Sequence, residues 1–355
     1  MLNPSPDPVV YTGLQPDPFD QRDFMYADIL GADLAEIDWE KGFNVYEENE
    51  LDPPVHNQGS SSSCVAQATA EHYRVWVKKC KGNDLDFSRH FVYAHINLGP
   101  DNGAYLRDGV AFGSSVGICS ESLFSSYENG NPPSERFMIS QEGLTPAHFQ
   151  DARLFEDFNY RLIPGNTYDI QIFSHAIQNN CGVIGGFHGS NPGWTQNVVR
   201  PPKPGEARWG HSVFLSGYGM YNGKKCLFTR NSWGGAYTIK EGRWKGYQAI
   251  PEDYFLASVT SAAGPSMGAF VYNSWVLVPD ESLKPNVKLM DFLKKNEGKI
   301  VQDVEGTGGF ALVKGGKLLV ASKARVAELV AAYIVKKEGV ATPKSIWDAA
   351  TKEQF

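Results

Sequence analysis

The sequence predicts an α+β fold in which a helical half precedes a β half, and three features carry that expectation. Residues from about 64 to 81, CVAQATAEHYRVWVKKCK, are apolar nearly all round, as in a helix buried inside a domain. From about residue 181, short stretches rich in β-branched and aromatic residues follow one another: GVIGGF, HSVFLSGYGMY, KKCLFTRNSW and GRWKGYQAI. Between the second and third stands Asn222-Gly223, the strongest short-range hairpin signal. Helices first and strands afterwards is the α+β order.

Taken in order, residues 1–50 are rich in Pro, Asp and aromatics with little helical period, and read as an extended arm. The buried helix that follows should stop at Gly82 and Asn83. From about 84 to 180, helical stretches alternate with polar, Gly-rich loops such as NLGPDNGAYLRDG. The main domain is expected over residues 51–280. Residues 281–355 read as a small α/β appendage: a helix from LKPNVKLMDFLKKNEGK, a hairpin around Gly315-Gly316, and a second helix N-capped by Ser322 and ending at Gly339. Some seventy residues are marginal as a free-standing core, so the appendage is expected to seek an assembly partner or dock on the main body.

Composition narrows the function classes. A chain of 355 residues with 42% apolar and 21% charged residues is globular rather than disordered. The net charge of −7 argues against a nucleic-acid surface. No apolar run reaches the roughly 18 residues that span a bilayer. MLNPSPDPVVYTG has neither a basic nor a long apolar signal segment, so a cytoplasmic or virion-associated protein is expected. The five cysteines (Cys64, Cys80, Cys119, Cys181 and Cys226) are odd in number and widely spaced, with no CxxC pair. They suggest neither a disulfide framework nor a zinc site, and no cofactor or metal is expected.

Cys64 differs from the other four. It opens a helix directly after NQGSSSS, where the helix dipole and free backbone N–H groups favour a thiolate. A cysteine nucleophile needs an imidazole to take its proton, and the imidazole needs an orienting partner. RWGHSVFLSGYG supplies His211 at the start of a strand, and KKCLFTRNSWGG supplies Asn231 at the end of the next. A glutamine amide such as that of Gln58, with the Cys64 N–H, could hold an oxyanion. His72, His90 and His95 lack a zinc-binding motif such as His-Glu-x-x-His and read as surface or core residues, and the serine run has no nucleophile elbow. Trp194 and Trp209 fit a core or a cleft wall equally well.

On these stretches the chain resembles the papain-like cysteine peptidases over about residues 15 to 255. The Gln-to-Cys spacing in DPPVHNQGSSSSCVAQATA, the His-Ser-aliphatic run in WGHSVFLSGYG and the Asn-Ser-Trp-Gly of FTRNSWGGAY carry it. DPFDQRDFMY, DFSRHFVYAHIN and DGVAFGSSVGICSESLFSSY look most like the bacterial and viral branch. The resemblance implies a two-lobe fold, a helical lobe facing an antiparallel β-barrel-like lobe. It implies Cys64, His211 and Asn231 as a catalytic triad, Gln58 and Cys64 as oxyanion donors, and Trp233 as a shield over the His–Asn bond. It places Ser62, Ser63 and Gly210 in the substrate cleft, with a polypeptide or peptide crosslink as substrate. Ser61 stands where secreted relatives have a disulfide cysteine, Ser62 where they have a cleft glycine, and Val65 where they have an aromatic residue. Only about fifty residues precede the main domain, so the long helical propeptide of secreted relatives is not expected. A second class therefore stays open, a papain-like module serving as a structural or binding part of a phage virion or other assembly.

Overall fold

The computed structural model describes residues 12–20, 23–28, 36–155, 158–165, 167, 169–260 and 270–278, with five strand segments between 299 and 354. It divides into two compact units, Met1–Pro279 and Asp280–Phe355. Helices of the first unit are α1 (Val45–Glu48), α2 (Cys64–Lys81), α3 (Arg89–Ile96), α4 (Leu106–Val116), α5 (Glu135–Met138), α6 (Pro146–Ala152), α7 (Ile170–Asn179), α8 (Asn191–Trp194) and α9 (Glu252–Thr260). Its strands are β1 (Leu14–Gln15), β2 (Phe43–Asn44), β3 (Ala104–Tyr105), β4 (Asn159–Ile163), β5 (Val183–Gly189), β6 (Trp209–Tyr221), β7 (Lys224–Thr229), β8 (Gln248–Pro251) and β9 (Ser274–Val278). Among the described residues no helix is long and apolar enough to cross a membrane.

Helix α2 is the central element, buried from Cys64 through Val77. It ends at Gly82, whose left-handed conformation (φ 78°) lets its N–H bond the Lys78 carbonyl. Lys78, Lys79 and Lys81 crowd the last turn, where the dipole favours positive charge. Its charged residue Glu71 is paired inside, although Gln67 Oε1, His72 Nδ1 and Trp76 Nε1 are buried without a partner among the described residues. The Arg89 guanidinium on α3 bonds Glu71 Oε1 at 2.8 Å and Asp86 Oδ1 at 2.7 Å, and lies 2.6 Å from His56 Nε2. Burial would raise the Glu71 carboxyl, but His56 and the arginines hold it below the ordinary carboxylate range.

The sheet runs β4-β9-β5-β6-β7-β8, antiparallel throughout, with β2 also paired to β6. Asn222 (φ 50°) and Gly223 (φ 73°) make the β6–β7 turn, both with the positive φ that a tight hairpin requires. The resemblance implied a barrel-like lobe; the sheet is instead open among the described residues. Closure needs the outer strands to meet in register, and β8 has only four residues before α9 begins. GRWKGYQAI accordingly contributes a turn first, with Gly242 and Gly246 at φ 79° and 87°, and a strand only from Gln248.

The second unit holds β10 (Lys299–Asp303), β11 (Phe310–Lys314), β12 (Lys317–Ala321), β13 (Lys336–Thr342) and β14 (Lys352–Gln354), in the order β13-β10-β11-β12-β14. β11 and β12 pair antiparallel with Lys314 opposite Lys317, flanking Gly315-Gly316. The helix expected up to Gly339 is corrected at its end. Lys336–Gly339 belong to β13, which pairs parallel with β10 and sets Val340 opposite Val301. A backbone hydrogen-bond ladder there outweighs the helical preference of a segment that already contains a helix-weakening glycine. The rest of that helix, and the one expected from 284, lie outside the described residues.

Candidate active site

Cys64 is the first residue of α2 and is fully buried. Ser63 precedes it at the cap position but does not cap the helix. Its hydroxyl bonds Ser61 Oγ at 2.7 Å and receives Gln67 Nε2 at 3.2 Å. The first-turn amides therefore stay directed at the site, and the N–H groups of Ser212, Val65 and Cys64 itself all favour the Cys64 thiolate. Ser212 follows His211 on β6, so the sulfur lies against the strand that carries the histidine.

His211 is the third residue of β6, paired with Phe187 on β5. The β6–β7 hairpin returns the chain so that Asn231, just past β7, meets it. His211 Nε2 lies 2.9 Å from Asn231 Oδ1. The Trp233 ring stacks on the imidazole with centroids 4.7 Å apart and planes at 23°, and Trp194 meets it edge-on at 5.6 Å. Trp194 is core, while Trp209 is half-buried and donates to Asn191 Oδ1.

Gln58 is fully buried, and its amide is oriented by its neighbours. Ser232 Oγ donates to Gln58 Oε1 at 2.6 Å, and Gln58 Nε2 donates to Ser61 O at 2.7 Å. Ser62 is anchored through its N–H to Glu135 Oε2 at 2.6 Å, and Tyr93 holds the other carboxylate oxygen at 2.9 Å. Of the three residues expected in the cleft, Ser62 and Gly210 both lie against Gly13, and the Ser63 hydroxyl turns inward onto Ser61.

The arm lies across this site. The Thr12 carbonyl stands 3.5 Å from Gln58 Nε2, Gly13 N–H reaches Gly210 O at 3.3 Å, and Ala104 N–H reaches Gly13 O at 2.8 Å. β1 pairs parallel with β3. A Cβ on Gly13, whose φ is +138°, would sit 2.0 Å from Ser62 O, so only glycine allows so close an approach. Leu14, 4% exposed, converges with Leu106 and Tyr272 on Gly186. Beyond it, Asp17 accepts from Arg107 N–H at 3.0 Å and Trp275 Nε1 at 2.8 Å, and Asp23 pairs with Arg107.

Burial sets the electrostatics. It pushes the Cys64 thiol up to about 12, against the three backbone amides. It pushes His211 down to about 4, against the bond to Asn231. With the thiol shifted up and the imidazole shifted down, burial favours the neutral form of each near pH 7. Since His211 titrates below its ordinary value of 6.5 in the folded protein, the unfolded chain binds the extra proton first. The stability that the neutral ring contributes is present above pH 6.5, falls as pH drops toward 4, and is gone below it, amounting to roughly 3 kcal/mol. The fall in thermal midpoint between pH 7 and 4 should thus be smaller in His211→Gln than in wild type; identical slopes would refute it.

Two features escaped the sequence reading. The seating of Thr12–Leu14 depends on one glycine fitting against Ser62, and Gly13 next to Leu14 was its only trace. Gln248, fully buried on β8, contacts Asn231 and left no signal in a segment read only as strand. The three histidines set aside as surface or core residues each make a backbone contact within the fold. His72 Nε2 meets Asn180 O, His90 meets Ser125 O and Ser140 O, and His95 Nδ1 meets Phe91 O. His56, Glu71 and Asp86 have donor atoms close enough to hold a metal ion, but the Arg89 guanidinium is the cation they surround. All five cysteines are free thiols, with Cys80 exposed and the other four buried.

A family model described as papain family cysteine protease matches residues 35–254, more than half of the chain. Among solved structures, xylellain, a cysteine protease from Xylella fastidiosa, is similar with a TM-score of 0.56 at 22% identity, covering 76% of this chain and 96% of that one. A procathepsin L2 proteinase from the larval midgut of Tenebrio molitor gives 0.52 at 20% identity, covering 76% and 78%. No curated protein matches the sequence. At these identities the two structures speak for the fold alone.

Proposed function

The chain belongs to the papain family of cysteine proteases, and from that premise we propose that Cys64, His211 and Asn231 hydrolyse peptide bonds through an acyl-enzyme. The observation that carries this reading is the 2.9 Å contact between His211 Nε2 and Asn231 Oδ1, stacked under Trp233 beside the strand that touches the Cys64 sulfur. Asn231 holds the ring so that Nδ1 can serve the thiol. His211 takes the Cys64 proton, and the sulfur attacks the substrate carbonyl carbon. The tetrahedral oxyanion is met by Gln58 Nε2 and the Cys64 N–H, each such donor being worth roughly 3–4 kcal/mol. His211 then protonates the leaving amine, and water, deprotonated by the same imidazole, releases the acyl group.

The arm makes this a latent enzyme. Thr12 O holds the place beside Gln58 that an oxyanion would need, and Leu14 fills the apolar wall next to Gly210. Once the arm leaves, water and substrate reach the pair, and the thiolate–imidazolium form is no longer penalised by burial.

A peptidyl epoxide, which alkylates activated thiols, tests the assignment. Peptide mapping of the chain freed of residues 1–16 should find a single adduct on Cys64, although Cys80 is the exposed thiol. An adduct on Cys80 with Cys64 unmodified would refute the reading.

A further inference from the structure

The orientation of the Asn231 amide is dictated from outside the triad. Gln248 is fully buried, and its Nε2 lies 2.9 Å from Trp194 O and 2.7 Å from Gln196 O. Two backbone carbonyls can only accept, so the amide group facing them must be the NH₂. That turns Gln248 Oε1 toward Asn231, 2.6 Å from Nδ2. An oxygen there requires Asn231 to present its own NH₂, and Oδ1 therefore faces His211. The Ser232 N–H, which can only donate, points to the same oxygen at 2.7 Å and agrees. A neutral His211 then has its proton on Nε2, leaving the lone pair on Nδ1, a buried atom with no partner of its own. Each step follows from which groups can donate and which cannot.

We propose that Gln248 is a positioning residue for His211: anchored on the Trp194 and Gln196 carbonyls, it locks the Asn231 amide and thereby selects the imidazole tautomer that can accept the Cys64 proton. The proposal rests on the peptidase reading given above. It adds a residue from β8, a strand that carries none of the triad. Its position follows from register, because Gln248 pairs with Thr229, two residues before Asn231.

The test is Gln248→Met in the full chain, read in two independent ways. Histidine ¹⁵N shifts report the His211 tautomer whether or not the protein turns over substrate, so they separate failure of this proposal from failure of the peptidase reading. Wild type should show Nε2–H alone, and Gln248→Met a mixture of the two tautomers. kcat should fall about tenfold to a hundredfold with KM nearly unchanged, as expected for a lost interaction that matters only in the chemical step. The double variant Asn231→Asp, Gln248→Met distinguishes orientation from packing. A carboxylate accepts through either oxygen and needs no orienting, so the double variant should regain the Nε2–H tautomer and most of the lost kcat relative to Gln248→Met. If Gln248→Met does not fold, the double variant is read alone, and an Nε2–H tautomer with measurable turnover supports the proposal. An unchanged tautomer in Gln248→Met, or no recovery in the double variant, overturns it.

Discussion

Cys64→Ala is expected to fold as the wild type does and to lose peptide hydrolysis by about 10⁴-fold or more. The two halves of that expectation have separate causes. Alanine is the best helix former, and it removes a single heavy atom from a fully buried site at the start of α2. The resulting cavity costs on the order of 1 kcal/mol, too little to unfold a domain of this size. Hydrolysis goes because no other thiol can replace the lost one. Cys119, Cys181 and Cys226 are buried with thiols pushed up to about 12, and Cys80 sits at the far end of the same helix. Turnover of a fluorogenic peptide measures it, and a variant retaining a tenth of wild-type kcat/KM would sink the assignment.

Leu14→Asp should act in the opposite direction. Leu14 is 4% exposed and packs toward Leu106, Gly186 and Tyr272. Its burial contributes roughly 1.5–3 kcal/mol to holding the arm down, and a carboxylate in the same apolar place adds a desolvation cost. Each 1.4 kcal/mol is tenfold, so kcat/KM and the rate of epoxide labelling should both rise by about one to two orders of magnitude. The anchors at Asp17 and Asp23 lie further along the arm and are untouched. Deleting residues 1–16 should have the same effect by removing Thr12, Gly13 and Leu14 together. Rates unchanged in both variants would mean that the arm does not limit access.

How much was legible beforehand follows a physical division. Local pattern read well. Apolar residues all round marked Cys64–Lys81, Gly82 marked its end, and Asn222-Gly223 marked the β6–β7 turn, because each is decided by a few neighbouring residues. The Gln58, Cys64, His211 and Asn231 set came from spacing and from resemblance to a family, and the fold brings His211 and Asn231 into contact. What stayed hidden is decided by partners distant in sequence. β1 is two residues long and is held by β3, some ninety positions away. β13 owes its strand to β10, and an open sheet differs from a barrel-like one only in whether distant edges meet. The role of Gln248 depends on carbonyls about fifty residues earlier.

Covalent attachment of the arm changes how it competes. A segment tethered to the body that it covers has an effective concentration on the order of millimolar, whatever the protein concentration. Dilution therefore cannot relieve it, and a peptide arriving from solution must outbid a neighbour that never diffuses away. Substrates that bind only modestly would meet an inflated apparent KM. A long substrate gripping several parts of the groove at once is better placed to displace the arm. The tether thus acts as a threshold on substrate quality as well as a cover.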